Sequence, residues 1–137
     1  MIARRPDWEV RLSAYLAERF DAIVFEWGAS DCALYTADAV LAMTDADIAA
    51  RFRGKYSTAA GSAKALRKYG AGTLKDTFDT LLPPKPVGYA RRGDVVMHDG
   101  AVGICIGADA LFMRLPEAGP GLERIPRPDW SHAWSVG

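Results

Sequence analysis

Trp27-Gly28-Ala29-Ser30-Asp31-Cys32-Ala33-Leu34-Tyr35-Thr36-Ala37-Asp38-Ala39-Val40-Leu41-Ala42-Met43 is the stretch that decides the fold. The run before it, Ile23 to Gly28, is aromatic and β-branched, ends in a glycine, and leads into Ser30, whose hydroxyl suits the orphan amides of a new helix. The spacing predicts that helix over about Asp31 to Met43. Cys32, Ala33, Leu34, Tyr35, Ala37, Ala39, Val40, Leu41 and Met43 make it apolar on nearly every side, as expected of a helix enclosed by other elements. Cys32 falls in its first turn, where unpaired amides and the positive end of the helix dipole favour a thiolate. The plainer reading of Cys32 is a small buried apolar residue, and the charge of Asp31 opposes the thiolate.

On the N-terminal side, Pro6 and Asp7 suit a first helical turn, and Trp8, Leu12, Tyr15, Leu16 and Phe20 recur at helical spacing, predicting a helix over about Pro6 to Phe20. On the C-terminal side, shorter helices are predicted near Asp45 to Phe52, Ser57 to Tyr69 with Gly70 as its stop, and Thr73 to Leu82 before Pro83-Pro84. Pro83 to Tyr89 reads as a turn-rich crossover. After Gly93 the period changes: Asp94 to His98 and Ala101 to Gly107 read as two strands joined by the two-residue turn Asp99-Gly100. Ala110 to Leu115, Leu122 to Ile125 and His132 to Val136 are further strand candidates. Helices followed by consecutive antiparallel strands define an α+β class.

The 137 residues suit one domain, 1–137, able to bury a core without staples. Lys+Arg and Asp+Glu both number 17, so the chain lacks the positive field that nucleic acid requires, and no nucleic acid is expected as a partner. No apolar run approaches the roughly 20 residues of a spanning helix, so no membrane insertion is expected. Arg4 and Arg5 are followed at once by Trp8, Glu9 and Arg11, which excludes the apolar core of a signal peptide. Cys32 and Cys105 have no CxxC spacing, so neither a disulfide framework nor a metal site is expected.

Three segments in order, Trp27 to Cys32 entering an Ala-rich helix, Arg92-Gly93-Asp94-Val95-Val96, and Val102-Gly103-Ile104-Cys105-Ile106-Gly107, resemble the NlpC/P60 branch of the papain-like fold. The Trp-Gly-Ala-Ser-Asp-Cys entry and the ending Ala133-Trp134-Ser135-Val136 also look like a family of small uncharacterised phage and prophage tail-associated proteins. The resemblance implies N-terminal helices around a Cys-bearing central helix, packed on a C-terminal antiparallel sheet. It also implies a peptidase cutting peptidoglycan stem peptides with a Cys-His pair and no cofactor. The expected partners are other phage tail proteins and peptidoglycan, and the expected location is the virion tail, or the bacterial cytoplasm before assembly.

This chain departs from that pattern where the chemistry would be. The histidine expected before Val102 is Ala101, and the third polar residue is expected about where Met113 stands. His98 pairs with Ala101 in a two-residue hairpin and is one substitute base; an ordinary residue beside a turn is the bland reading. His132, with Asp129 to hold its ring, is the other. Trp27, Ser30 and Asp31 are the expected substrate contacts. Trp8, Trp130 and Trp134 read as core corners, Cys105 as buried sheet, and Arg91-Arg92 and Arg51-Arg53-Lys55 as solvated faces without a site role. The expectation is a catalytically impaired or inactive tail-associated protein with a structural or envelope-contacting role. The alternative is a cysteine peptidase or amidase using Cys32 with His98 or His132.

Overall fold

The structure, a computed structural model, describes residues 2–137. Four α-helices precede the sheet: α1 (Trp8–Arg19), α2 (Cys32–Thr44), α3 (Ala59–Tyr69) and α4 (Leu74–Leu81). Six strands follow: β1 (Pro84–Lys85), β2 (Val95–His98), β3 (Ala101–Cys105), β4 (Asp109–Met113), β5 (Leu122–Pro126) and β6 (His132–Trp134). They form one antiparallel sheet in the order β1-β6-β2-β3-β4-β5. The predicted α+β class therefore holds.

Helix α2 is the hub, as its composition predicts. Leu34, Tyr35, Ala37, Ala39, Val40 and Met43 are all buried. The helix packs between α1 and strands β3 and β4. The Tyr15 hydroxyl of α1 donates to the Tyr35 carbonyl at 2.7 Å, and the Tyr35 hydroxyl donates to the Leu111 carbonyl of β4 at 3.0 Å. Two buried phenols are thus satisfied across three layers, as buried hydroxyls require.

Alternation along the strands assigns the two sheet faces. Val95, Met97, Val102, Ile104, Leu111, Met113 and Trp134 point into the core shared with α2. Val96, Cys105, Ala110, Phe112 and Ala133 form a second, smaller cluster with Trp130 and Ala90, so the sheet is apolar on both sides. Asp99 at φ 49° and Gly100 at φ 79° form the predicted hairpin turn, the left-handed pair that matches strand twist. His98 is paired with Ala101, in the predicted register.

Two segments differ from expectation. Residues 45–52 form no helix: 45–47 are irregular and consecutive turns begin at 48, because Asp45 adopts φ 65° to end α2 and the Asp47 carboxylate takes the Ala49 amide at 3.1 Å, competing with helix hydrogen bonds. The crossover contains β1, a strand of one proline and one lysine; a proline is tolerated there because β1 is an edge strand paired only with β6.

A buried carboxylate ties the chain ends to the sheet. Asp94 is 0% exposed. One oxygen accepts from the Arg4 guanidinium and the Val136 amide, each at 3.0 Å. The other accepts from the Lys85 ammonium at 2.8 Å and the Arg91 amide at 2.9 Å. Leaving such charges unpaired is strongly destabilising. Asp94→Asn is expected to lower the unfolding free energy by about 3 kcal/mol in urea titrations, and adding Arg4→Met is expected to cost less than the sum of the single changes.

Candidate functional site

Asp31 places the cysteine. It is 1% exposed and is the N-cap of α2, with extended backbone. One oxygen accepts from the Leu34 amide at 3.0 Å; the other accepts from the Gly28 amide at 3.0 Å and from the Tyr56 hydroxyl. Gly28 sits at φ 82°, and a Cβ there would meet the Tyr56 carbonyl oxygen at 2.0 Å, so only glycine lets the loop pass under the 56 segment. The cap is therefore Asp31 and not Ser30. Ser30 instead donates its hydroxyl to the Val24 carbonyl, closing the loop that the Glu26–Ser30 bridge also pins.

These contacts change how the expected substrate contacts read. Both oxygens of Asp31 are engaged inside the fold, and the hydroxyl of Ser30 is engaged in its own loop. Trp27 alone is free to meet a ligand: it is 38% exposed and packs edge-on against Phe25 at 4.9 Å. Tyr56 had no signal in the sequence, since it lies in an irregular segment and its role depends on a contact 25 residues away.

Cys32 is the first residue of α2 and keeps partial exposure. Burial pushes its thiol pKa up, and the charge of Asp31 adds to that. Amides of Val102, Ala33 and Cys32 itself pull the other way without reversing the shift. The strand amide that meets the thiol is thus the one next to Ala101. One turn along α2, the Thr36 hydroxyl is fully buried and has no hydrogen-bond partner among the described residues.

Neither imidazole is brought to the sulfur. His98 lies on the face away from α2, edge-on to Phe112 at 6.0 Å. Its Nδ1 donates to the Asp129 carbonyl at 2.9 Å, since a carbonyl can only accept. Ala101 packs toward the same far-face cluster. His132 lies on the α2 face, paired with Met97, which is paired in turn with Val102. Two strand spacings, about 10 Å, separate the backbone of His132 from that of Val102, and the Met97 side chain lies between them. The His132 ring stacks on Trp134 at 6.1 Å and meets the Ser131 hydroxyl at 3.0 Å. Asp129, expected to orient His132, holds His98 instead, through its backbone.

Met113 is buried in the core, so no polar group stands at the expected third position. Cys105 is fully buried on the far face, with burial pushing its thiol up, and both cysteines are free. No cluster of three or more His, Cys, Asp or Glu side chains suited to a metal occurs among the described residues, and no helix there is long and apolar enough to cross a membrane.

Burial favours the neutral thiol, so in a Cys105→Ala background the iodoacetamide reaction of Cys32 is expected to be slow at neutral pH. It should rise only above the free-thiol value of about 8.5, with the same profile in His98→Ala and His132→Ala. An inflection near pH 7 that moves in either variant would show an activated thiolate. Asp31→Ala is expected to destabilise the fold by about 2 kcal/mol in urea, with Asp31→Ser recovering part of the loss.

A search of curated proteins finds no match to this chain. Residues 3–136, almost its whole length, match the family described as a domain of unknown function, DUF6950, and the chain belongs to that family.

Proposed function

We propose that this protein is an NlpC/P60-like domain of the papain-like fold that does not hydrolyse its ligand and serves a phage or prophage tail as a structural or envelope-contacting component. The observation that carries this reading is the surroundings of Cys32: a thiol at the head of the central helix, facing a strand amide, with no imidazole beside it. A cysteine nucleophile needs a base to take its proton, and removing that base costs several orders of magnitude in rate. The order of elements supports the scaffold half of the proposal, with the Cys-bearing helix laid across an antiparallel sheet whose strand β2 follows the Gly93-Asp94 turn and pairs with β3. The tail association rests on the resemblance of the Trp27 to Cys32 and Ala133 to Val136 segments.

One observation favours the second reading, a peptidase or amidase acting on stem peptides. His132 is on the same sheet face as Cys32, in the row His132, Met97, Val102. A catalytic pair there would require the ring to leave Trp134 and pass Met97. His98, on the far face, would require a strand to turn over.

Purified chain incubated with peptidoglycan sacculi is expected to release no new amine or carboxyl ends above the level of Cys32→Ala, and Cys32→Ala is expected to bind sacculi as the unaltered protein does. Cys32-dependent cleavage would overturn the proposal, and its loss in His132→Ala would establish the second reading.

A further inference from the structure

Charge is not spread evenly along this neutral chain. Residues 48–75 hold seven of the 17 basic residues and none of the 17 acidic ones. Arg53 is paired with Asp38 and Asp47, and Lys75 with Asp79. Arg51, Lys55, Lys64, Arg67 and Lys68 are all exposed and make no salt bridge among the described residues. The helix dipole accounts for Arg67 and Lys68 in the last turn of α3. It accounts for neither Lys64, one turn before Lys68 and so a destabilising like-charge neighbour, nor Lys55, which comes from a different segment. The ammoniums of Lys55 and Lys68 nevertheless converge on one ring, lying 5.6 and 5.3 Å from the centre of Tyr69.

Tyr69 meets Phe52 edge-on at 6.4 Å, and Phe52 is a wall of an apolar cleft of about 50 Å3. Ala33 and Ala37 of α2 form its floor, Leu66 of α3 and Leu74 of α4 its sides, and Ser62 and Tyr56 add polar atoms. Helix α3 is a thin outer wall, since Ala65 is its only buried residue. One water needs about 10–15 Å3 by this measure, so the cleft holds more than a methyl group, and its lining suits an apolar side chain. Two exposed cations without a carboxylate partner, Lys55 and Lys68, thus stand beside the Phe52 wall of this opening, and together they define a complementary ligand: negative charge outside, one apolar side chain inside.

We propose that the cleft between α2, α3 and α4, with Lys55 and Lys68 beside its Phe52 wall, docks an acidic segment of a partner protein that inserts one apolar side chain. A nucleic-acid backbone matches the two lysines but has nothing to place in the cleft. The inference is independent of whether Cys32 reacts.

The test is an amide chemical-shift titration of the isotope-labelled full chain with three probes: a short glutamate-rich peptide with one central leucine, the same peptide with serine there, and a thymidine oligonucleotide. The leucine peptide is expected to shift Phe52, Tyr56, Ser62 and Leu66, to weaken with salt, and to bind about tenfold more tightly than the serine peptide. Lys55→Glu with Lys68→Glu, both exposed, should weaken it about tenfold, and Ser62→Phe should block the cleft, each with an unchanged circular dichroism spectrum. Arg91→Glu, elsewhere on the surface, should have no effect. No binding by the leucine peptide, equal binding by the serine peptide, indifference to the charge reversal, or tighter binding by the oligonucleotide would each overturn the proposal.

Discussion

The carboxylate of Asp31 is the contact on which the rest of this structure depends. A helix enclosed on nearly every side has no solvent for the unpaired amides of its first turn, so protein groups must supply the acceptors. Asp31 answers the Leu34 amide with one oxygen and joins the Gly28 loop and Tyr56 with the other. A carboxylate accepts several hydrogen bonds and donates none, which suits it to a junction of three donors. Without it, three donors from three segments would lose their partner in a site nearly closed to water, each at a cost of about 1–3 kcal/mol. The position of Cys32 follows from that junction, since the sulfur belongs to the next residue.

The same device recurs at Asp94, where a buried carboxylate gathers Arg4, Lys85, the Arg91 amide and the Val136 amide. The two Asp-containing motifs that resemble an enzyme family are therefore both architectural here: one caps the central helix, the other joins the chain ends to the first long strand. Such motifs report a scaffold whether or not the reaction survives. That explains how a chain can carry them clearly while alanine stands before Val102 and methionine at position 113.

The elements set by local chemistry were legible in the sequence. The all-round apolar pattern from Cys32 to Met43, Gly70 after α3, and Asp99-Gly100 between alternating strands each prescribe a backbone without reference to distant residues. The failures are of another kind. Residues 45–52 carry apolar spacing, but the Asp47 side chain competes for the amide that a helix would use. β1 has no strand composition and exists because β6 comes to pair with it. Within the site, the choice between Ser30 and Asp31 as cap turned on Tyr56 and Gly28, contacts invisible to any local rule. The sheet face of His98 follows from the hairpin register, and the sequence defined that register correctly. Which face α2 covers is a tertiary fact.

The charge pattern sharpens what the thiol lacks. An electropositive setting lowers a thiol's pKa, and this chain has a surplus of cations in one segment, yet none of that surplus serves Cys32. Arg53 is held by Asp38 and Asp47, Lys55 and Lys68 lean on Tyr69, and the charge beside the sulfur is the negative one of Asp31. The dipole of α2 and the Val102 amide oppose burial, but burial is the larger effect. A neutral, largely buried thiol beside a fixed carboxylate is poorly placed to attack a carbonyl and well placed to fill the seam between α2 and β3. Packing therefore accounts for Cys32 more fully than catalysis does, and the unpaired cations, which packing does not explain, mark the part of the surface where a binding function belongs.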